Sequence, residues 1–320
     1  MRRAIAAAIL ALGAVTFARA QSPWFADLPR RMPPPLIDSE NALTAEKVDL
    51  GRHLFYDTRL SENGKQSCAT CHKQELAFTD GLDVSVGSTG DHHPRSSMSL
   101  VNVAYAHTFN WVGEDVTTLE RQAMGPMFNE TPLELGLPKS GATLMTRLRT
   151  VERYRALFAA AFPGAADPFT VPNVLASIAS FERTIVSARS PYDRYHFERD
   201  DSAVSDAAKR GETVFYSQPL ACFACHSGPN FTSRGLHDGF KAPTLRNIAI
   251  TAPYMHDGHL KTLEETLNHN KPDYTLPADQ ARDLMAFLES LTDRAVLTDP
   301  RFSNPWPASS ARSPRGPGSR

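Results

Sequence analysis

Cysteine is scarce in this sequence, with four among 320 residues. That excludes a small disulfide-stapled scaffold, and a chain of this length buries a core without staples. Charge of one sign is missing as well. Lys and Arg number 34 against 35 acids, a formal charge of −1, which argues against a nucleic-acid binder. After residue 20 no run approaches eighteen apolar residues, so no stable membrane insertion is expected. No alternating apolar–polar pattern is sustained, so the elements are expected to be mainly α. With 41% hydrophobic and 22% charged residues the composition is ordinarily globular, and the length allows about two domains.

The two ends differ from the body. Arg2 and Arg3 precede an apolar stretch over 4–17, and Ala18-Arg19-Ala20 is an A-x-A site, so residues 1–20 read as a signal peptide cleaved after Ala20. Residues 301–320, rich in Pro, Ser, Gly and Arg, read as a disordered tail in which Trp306 is incidental. These ends hold three and four arginines and no acid, so from a total of −1 the body over 21–300 is left at −8. An acidic body suits a basic partner in electrostatic steering.

Between the ends the chain repeats itself. Gly51, Phe55 and Tyr56 recur as Gly211, Phe215 and Tyr216, and Cys68-Ala-Thr-Cys71-His72 recurs as Cys222-Phe-Ala-Cys225-His226. Further on, Leu100, Asn102, Ala104 and Gly113 match Leu245, Asn247, Ala249 and Gly258 at one offset of 145. Two homologous units explain this better than chance. Apolar residues fall at helical spacing over 44–56, 143–162 and 173–187, with Thr44 as an N-cap. The expected architecture is two helical cytochrome-c-like haem domains related by internal duplication, with long connecting loops. They span about 21–165 and 166–300.

All four cysteines lie in C-x-x-C-H, the attachment string of c-type haem. Two thiols three positions apart on a helical turn reach both vinyl groups of one porphyrin, and the adjacent histidine faces the iron. Cys68, Cys71 and His72 thus hold one haem c, and Cys222, Cys225 and His226 a second. A thioredoxin-like site needs a βαβ setting that is absent, and a zinc site has no need of a histidine after each second cysteine.

With these strings, Leu50-Gly51-Arg52-His53-Leu54-Phe55-Tyr56-Asp57, Gln122-Ala123-Met124-Gly125-Pro126 and Thr251-Ala252-Pro253-Tyr254-Met255-His256-Asp257-Gly258 complete a pattern over about 43–293. It resembles the bacterial di-haem cytochrome c peroxidase and MauG superfamily. Gln74 to Asp80 and Glu134-Leu135-Gly136-Leu137 look closest to a MauG-like branch associated with methanobactin-type gene clusters. The resemblance implies a periplasmic enzyme with a peroxide-reactive haem in the N-terminal domain and an electron-transfer haem in the C-terminal one. By position, Gln122, Pro126 and Glu134 line the distal side of the first haem, although two residues are inserted before Glu134. The physics agrees: a carboxylate can take a proton from the near peroxide oxygen and return it to the leaving one, while an amide orients the molecule. Trp111 matches the family tryptophan between the haems, and its counterpart in the repeat is His256. The family also holds calcium between its domains, through carbonyls matching Thr251 and Pro253 and an asparagine that is Ser96 here.

The pattern breaks at the sixth ligand of the second haem, Met or Tyr in the family. The matching position is Asn270, with His269 adjacent and Tyr274 four residues on. Either can substitute, or the iron is five-coordinate. On the first haem, His92 or His93 stands near where many peroxidases carry a releasable histidine ligand. Three roles follow for the chain. It can reduce hydrogen peroxide with electrons from a small cytochrome c or cupredoxin. It can oxidise Trp or Tyr of a partner protein. It can be a non-enzymatic di-haem electron carrier, which would have no need of Gln122 and Glu134.

Overall fold

Thr44 opens the first helix, α1 (Ala45–Phe55), by accepting a hydrogen bond from the Lys47 N–H at 3.2 Å. The structure is a computed structural model that describes residues 23–307 apart from 36, 38 and 39. After α1 come a single turn α2 (Cys68–Cys71), then α3 (Leu119–Phe128), α4 (Ala142–Arg149), α5 (Glu152–Ala161) and α6 (Val171–Glu182). The second half holds a short α7 (Pro191–Asp193), α8 (Asp206–Phe215) and α9 (Ala278–Ser290). Strands β1 (Leu236–His237) and β2 (Phe240–Lys241) form a small antiparallel hairpin with Leu236 opposite Lys241. The fold is mainly helical, as expected.

One glycine sets each principal helix crossing. A Cβ on Gly51 of α1 would lie 1.8 Å from the Ser177 carbonyl oxygen on α6. A Cβ on Gly211 of α8 would lie 1.9 Å from the Asp283 carbonyl oxygen on α9. Neither obstacle is a flexible side chain, so the backbones touch only because both side chains are absent. Gly51→Ala is therefore expected to cost about 3 kcal/mol, the upper range for overpacking a core. Thermal unfolding checks this, and an unchanged midpoint would refute the close approach.

Around the first crossing, Leu50, Leu54, Leu144, Leu148, Tyr154, Phe158, Val174 and Ile178 form one core. Around the second, Tyr192, Phe215, Phe231, Leu284, Phe287 and Leu291 form another. Helix α6 thus packs into the first core, beyond the boundary expected at 165. The periodic stretch 143–162 is two helices rather than one. Val151 is extended (φ −93°, ψ 113°) and splits α4 from α5.

A buried polar network joins the halves. Asn102 and Asn247, equivalent in the repeat, have nearly the same left-handed backbone (φ 58°, ψ 23° and φ 61°, ψ 20°). The Asn102 side chain donates to the Ser187 carbonyl and accepts the Ser187 N–H, at 2.9 and 2.6 Å. The Ser187 hydroxyl donates to Asn247 Oδ1 at 2.9 Å, and Asn247 Nδ2 donates to the Asp293 carbonyl at 2.9 Å.

The tail does not begin where composition places it. Phe302 is buried with Phe55, Phe78 and Phe181. Tyr56 donates its hydroxyl to the Phe302 carbonyl at 2.6 Å, and Arg52 donates to the Pro300 carbonyl at 3.1 Å. Trp306 is not incidental either. Its indole N–H donates to the His53 carbonyl at 3.0 Å, and its ring meets Tyr154 edge-on at 5.6 Å. An aromatic with a polar handle outweighs the Pro- and Ser-rich composition around it. Residues 1–20 and the rest of the tail, 308–320, lie outside the described residues.

Candidate active site

In α2 the His72 N–H donates to the Cys68 carbonyl at 3.0 Å, which curls the two cysteines and the histidine into one turn. Ala77 and Phe78 then take positive φ (51° and 61°) and bring the chain back. This sets the Phe78 carbonyl 2.9 Å from His72 Nδ1, with the Ser97 hydroxyl at 3.2 Å. Nδ1–H donates to that carbonyl and Nε2 keeps its lone pair, the state an axial iron ligand requires. Burial holds the His72 imidazole below its usual basicity, which favours the same neutral ring.

The attachment string borders a cavity. Its walls include Cys68, Cys71 and His72 with Gln122, Pro126, His93, Glu134, Ile178 and Glu182. A cavity with two thiols and a prepared imidazole on its wall has the donor set of a covalent haem site. None of the four cysteines forms a disulfide. Burial raises the Cys68 thiol far above its normal range and Cys71 to about 12, so neither has the reactive thiolate of a redox C-x-x-C.

Further wall residues come from α3 and two loops. Thr118 caps α3 by accepting the Arg121 N–H at 3.2 Å. Gln122 and Pro126 lie one turn apart on one face of that helix. Pro126 lacks an N–H, so it makes no helical bond to the Gln122 carbonyl. The Leu135 N–H donates to the Pro126 carbonyl at 2.9 Å, and the Ser88 N–H donates to the Glu134 carbonyl at 2.7 Å. Glu134 is thereby fixed between α3 and the 85–95 loop. Its Oε1 stands 3.5 Å from His93 Nε2. Burial pushes the Glu134 carboxyl up to about 7 and lowers His93 below its usual value. His92, next to it, is exposed and does not border the cavity.

The second string is built in parallel. The His226 N–H donates to the Cys222 carbonyl at 2.9 Å, and His226 Nδ1 lies 3.1 Å from the Phe231 carbonyl, Phe231 having φ 47°. Burial lowers His226 to about 4, and His269 lies close enough for its charge to lower it further. Asn270 donates its amide to the Leu220 carbonyl at 2.6 Å. The exposed His269 has Nδ1 2.7 Å from the Thr266 carbonyl, which leaves its Nε2 free of that contact. Tyr274 packs at the edge of the second core.

Between the two strings, Trp111 donates its indole N–H to the Ser96 carbonyl at 2.8 Å. The Ser96 N–H donates to the His256 carbonyl at 2.8 Å, and its hydroxyl to the Met255 carbonyl at 3.0 Å. Trp111 meets His256 edge-on at 6.5 Å, and His256 stacks on Phe240 at 3.7 Å. Ser96 thus bridges directly to the loop that holds Thr251 and Pro253.

The structure brings together Gln122, Pro126, Glu134 and His93 with His72 around one cavity, and leaves His92 aside. Sequence reasoning missed the Phe78 and Phe231 carbonyls, which are backbone features with no residue signature. It also missed Glu182, although a charged residue within the stripe Val174, Ile178, Phe181 and Ile185 was a readable signal.

A family model described as di-haem cytochrome c peroxidase matches residues 45–202. The methylamine utilization protein MauG of Methylophilus methylotrophus is 33% identical, over 87% of this chain and 93% of that one. Cytochrome c551 peroxidase of Pseudomonas aeruginosa is 29% identical over 85% of each. A crystal structure of a MauG-like protein associated with microbial copper homeostasis is similar at a TM-score of 0.81 and 34% identity, covering 88% of this chain and 99% of that one. The diheme peroxidase BthA of Burkholderia thailandensis shares the fold, at a TM-score of 0.67 and 21% identity.

Proposed function

Because the chain belongs to the di-haem cytochrome c peroxidase and MauG family, and so is a di-haem peroxidase-type oxidoreductase with two c-type haems, we propose a division of labour between its halves. Hydrogen peroxide reacts at the first site, held by Cys68, Cys71 and His72. Electrons arrive through the second, held by Cys222, Cys225 and His226. When bound, the first haem supplies the iron at which the O–O bond is split. Gln122 orients peroxide, and Glu134 lifts a proton from the near oxygen and returns it to the leaving one. Pro126 keeps that face of α3 open, and Trp111 lies on the route between the sites. The observation that carries this reading is the desolvated Glu134 carboxyl on the wall of the same cavity as the prepared His72 ring.

The electrons are proposed to come from Trp or Tyr side chains of a partner protein rather than from a small cytochrome or cupredoxin. The MauG relatives at 33% and 36% identity and the likeness to the MauG-like structure support this. Two duplicated units, a periplasmic location after cleavage at Ala20, and His93 as a partner to Glu134 rather than an iron ligand complete the proposal. Among the described residues no helix is long and apolar enough to cross a membrane. A calcium ion between the halves, at Thr251, Pro253 and Ser96, is part of the same proposal.

The oxidised protein is expected to show one high-spin and one low-spin haem by EPR, and to change its optical spectrum with peroxide. Two low-spin haems inert to peroxide would favour the electron-carrier role and sink the enzyme reading. Peroxide treatment with the protein encoded beside this one should leave a defined mass change on a Trp or Tyr. We propose His269, adjacent to Asn270 at the family's ligand position, as the sixth ligand of the second haem. His269→Ala is expected to convert the low-spin signal to high-spin, while Tyr274→Phe leaves it unaltered; the reverse pattern would reassign the ligand to Tyr274.

A further inference from the structure

Glu182 ends α6 and borders the first cavity, yet nothing above gives it a task. It is 6% exposed, and its Oε2 is buried without a hydrogen-bond partner. The neighbouring cation is committed elsewhere: Arg183 donates to both Glu120 oxygens at 2.7 and 2.9 Å. A carboxylate left so would be uncompensated in a low-dielectric wall, so the group holds its proton. Burial pushes it up to about 8. Its charge is felt at the Cys68 thiol, as is that of Glu134, and both carboxyl groups border the same cavity.

The stoichiometry leaves a gap at that place. Glu134 only shuttles, because the proton it lifts from one oxygen returns to the other. The full reaction, H2O2 + 2 e− + 2 H+ → 2 H2O, consumes two further protons. Of the titratable groups on the cavity wall, Cys68 and Cys71 are taken by thioethers, His72 by iron, and Glu134 with His93 by the shuttle. Glu182 is the one left. Resting on the peroxide reading of this site, we propose that Glu182 is its proton reservoir. Its carboxylic acid gives up one proton, reloads from solvent through the mouth at Glu134 and His93, and gives up the second, so that the second oxygen leaves as water.

The test uses the haem-loaded protein. Its infrared spectrum should contain a protonated carboxyl stretch that shifts in D2O, persists in Glu134→Gln and is lost in Glu182→Gln. By stopped flow, Glu182→Gln should react with peroxide at the wild-type rate but return to the resting spectrum, under excess reductant, at least about tenfold more slowly. An unchanged return step, or equal slowing of both steps, would overturn the proposal. So would absence of the band from Glu134→Gln, a measurement that decides the matter even where Glu182→Gln fails to fold. A wild-type protein inert to peroxide would overturn the functional reading and this proposal with it. A normal peroxide step with a normal return in Glu182→Gln overturns this proposal alone.

Discussion

Glu134→Gln is expected to slow the reaction with peroxide by about 10²–10⁴-fold, the range for losing a positioned acid–base group. The substitution changes little else. The segment is held by its backbone, through the Leu135 N–H to the Pro126 carbonyl and the Ser88 N–H to the Glu134 carbonyl. An amide of the same size keeps the shape of the cavity but cannot take a proton. The pH dependence gives a second signature. Burial lifts Glu134 to about 7, and a general base works only when ionised. The wild-type rate should therefore fall about tenfold per unit as pH drops below 7, and in Glu134→Gln that limb should vanish. Stopped-flow traces across pH 5–9 read both, and an unchanged rate would remove Glu134 from the mechanism.

Arg246→Met is expected to destabilise the protein by about 3–5 kcal/mol, the cost of breaking a buried ion pair from one side. Arg246 is wholly buried and donates to both Asp193 oxygens, at 2.8 and 3.0 Å. Its other nitrogens donate to the Pro229 carbonyl at 2.8 and 2.6 Å. Removing it strands a buried carboxylate and frees the loop between His226 and Phe231, whose carbonyl orients the His226 ring. The damage should fall on the second haem, seen as loss of its low-spin signal at lower temperature than that of the first. A combined Arg246→Met and Asp193→Leu variant should recover much of the loss, because no lone charge then remains. Equal melting of wild type and Arg246→Met would refute the argument.

Local strings were readable because their chemistry is local. C-x-x-C-H fits one turn, and Gln122 with Pro126 is a one-turn spacing, so both could be placed from sequence. Glu134 was harder, since an insertion precedes it and its position depends on the distant Ser88. His93 could be told from His92 only by packing, as adjacent histidines look alike in sequence. The break at Thr150–Val151 carries no Gly or Pro, so periodicity ran through it. Asn270 was legible as a departure, but its bond to Leu220 was not, because fifty residues separate them. Trp306 was masked by its neighbours, since composition averages a window and one indole contributes little to that average.

The packing of residues 300–306 against α1 governs the order in which the molecule can be completed. Arg52, His53 and Tyr56 find their partners at Trp306, Pro300 and Phe302. α1, the first α-helix among the described residues, therefore waits for partners about 250 residues further along the chain. In vectorial synthesis α8 and α9 are already made before that packing can form.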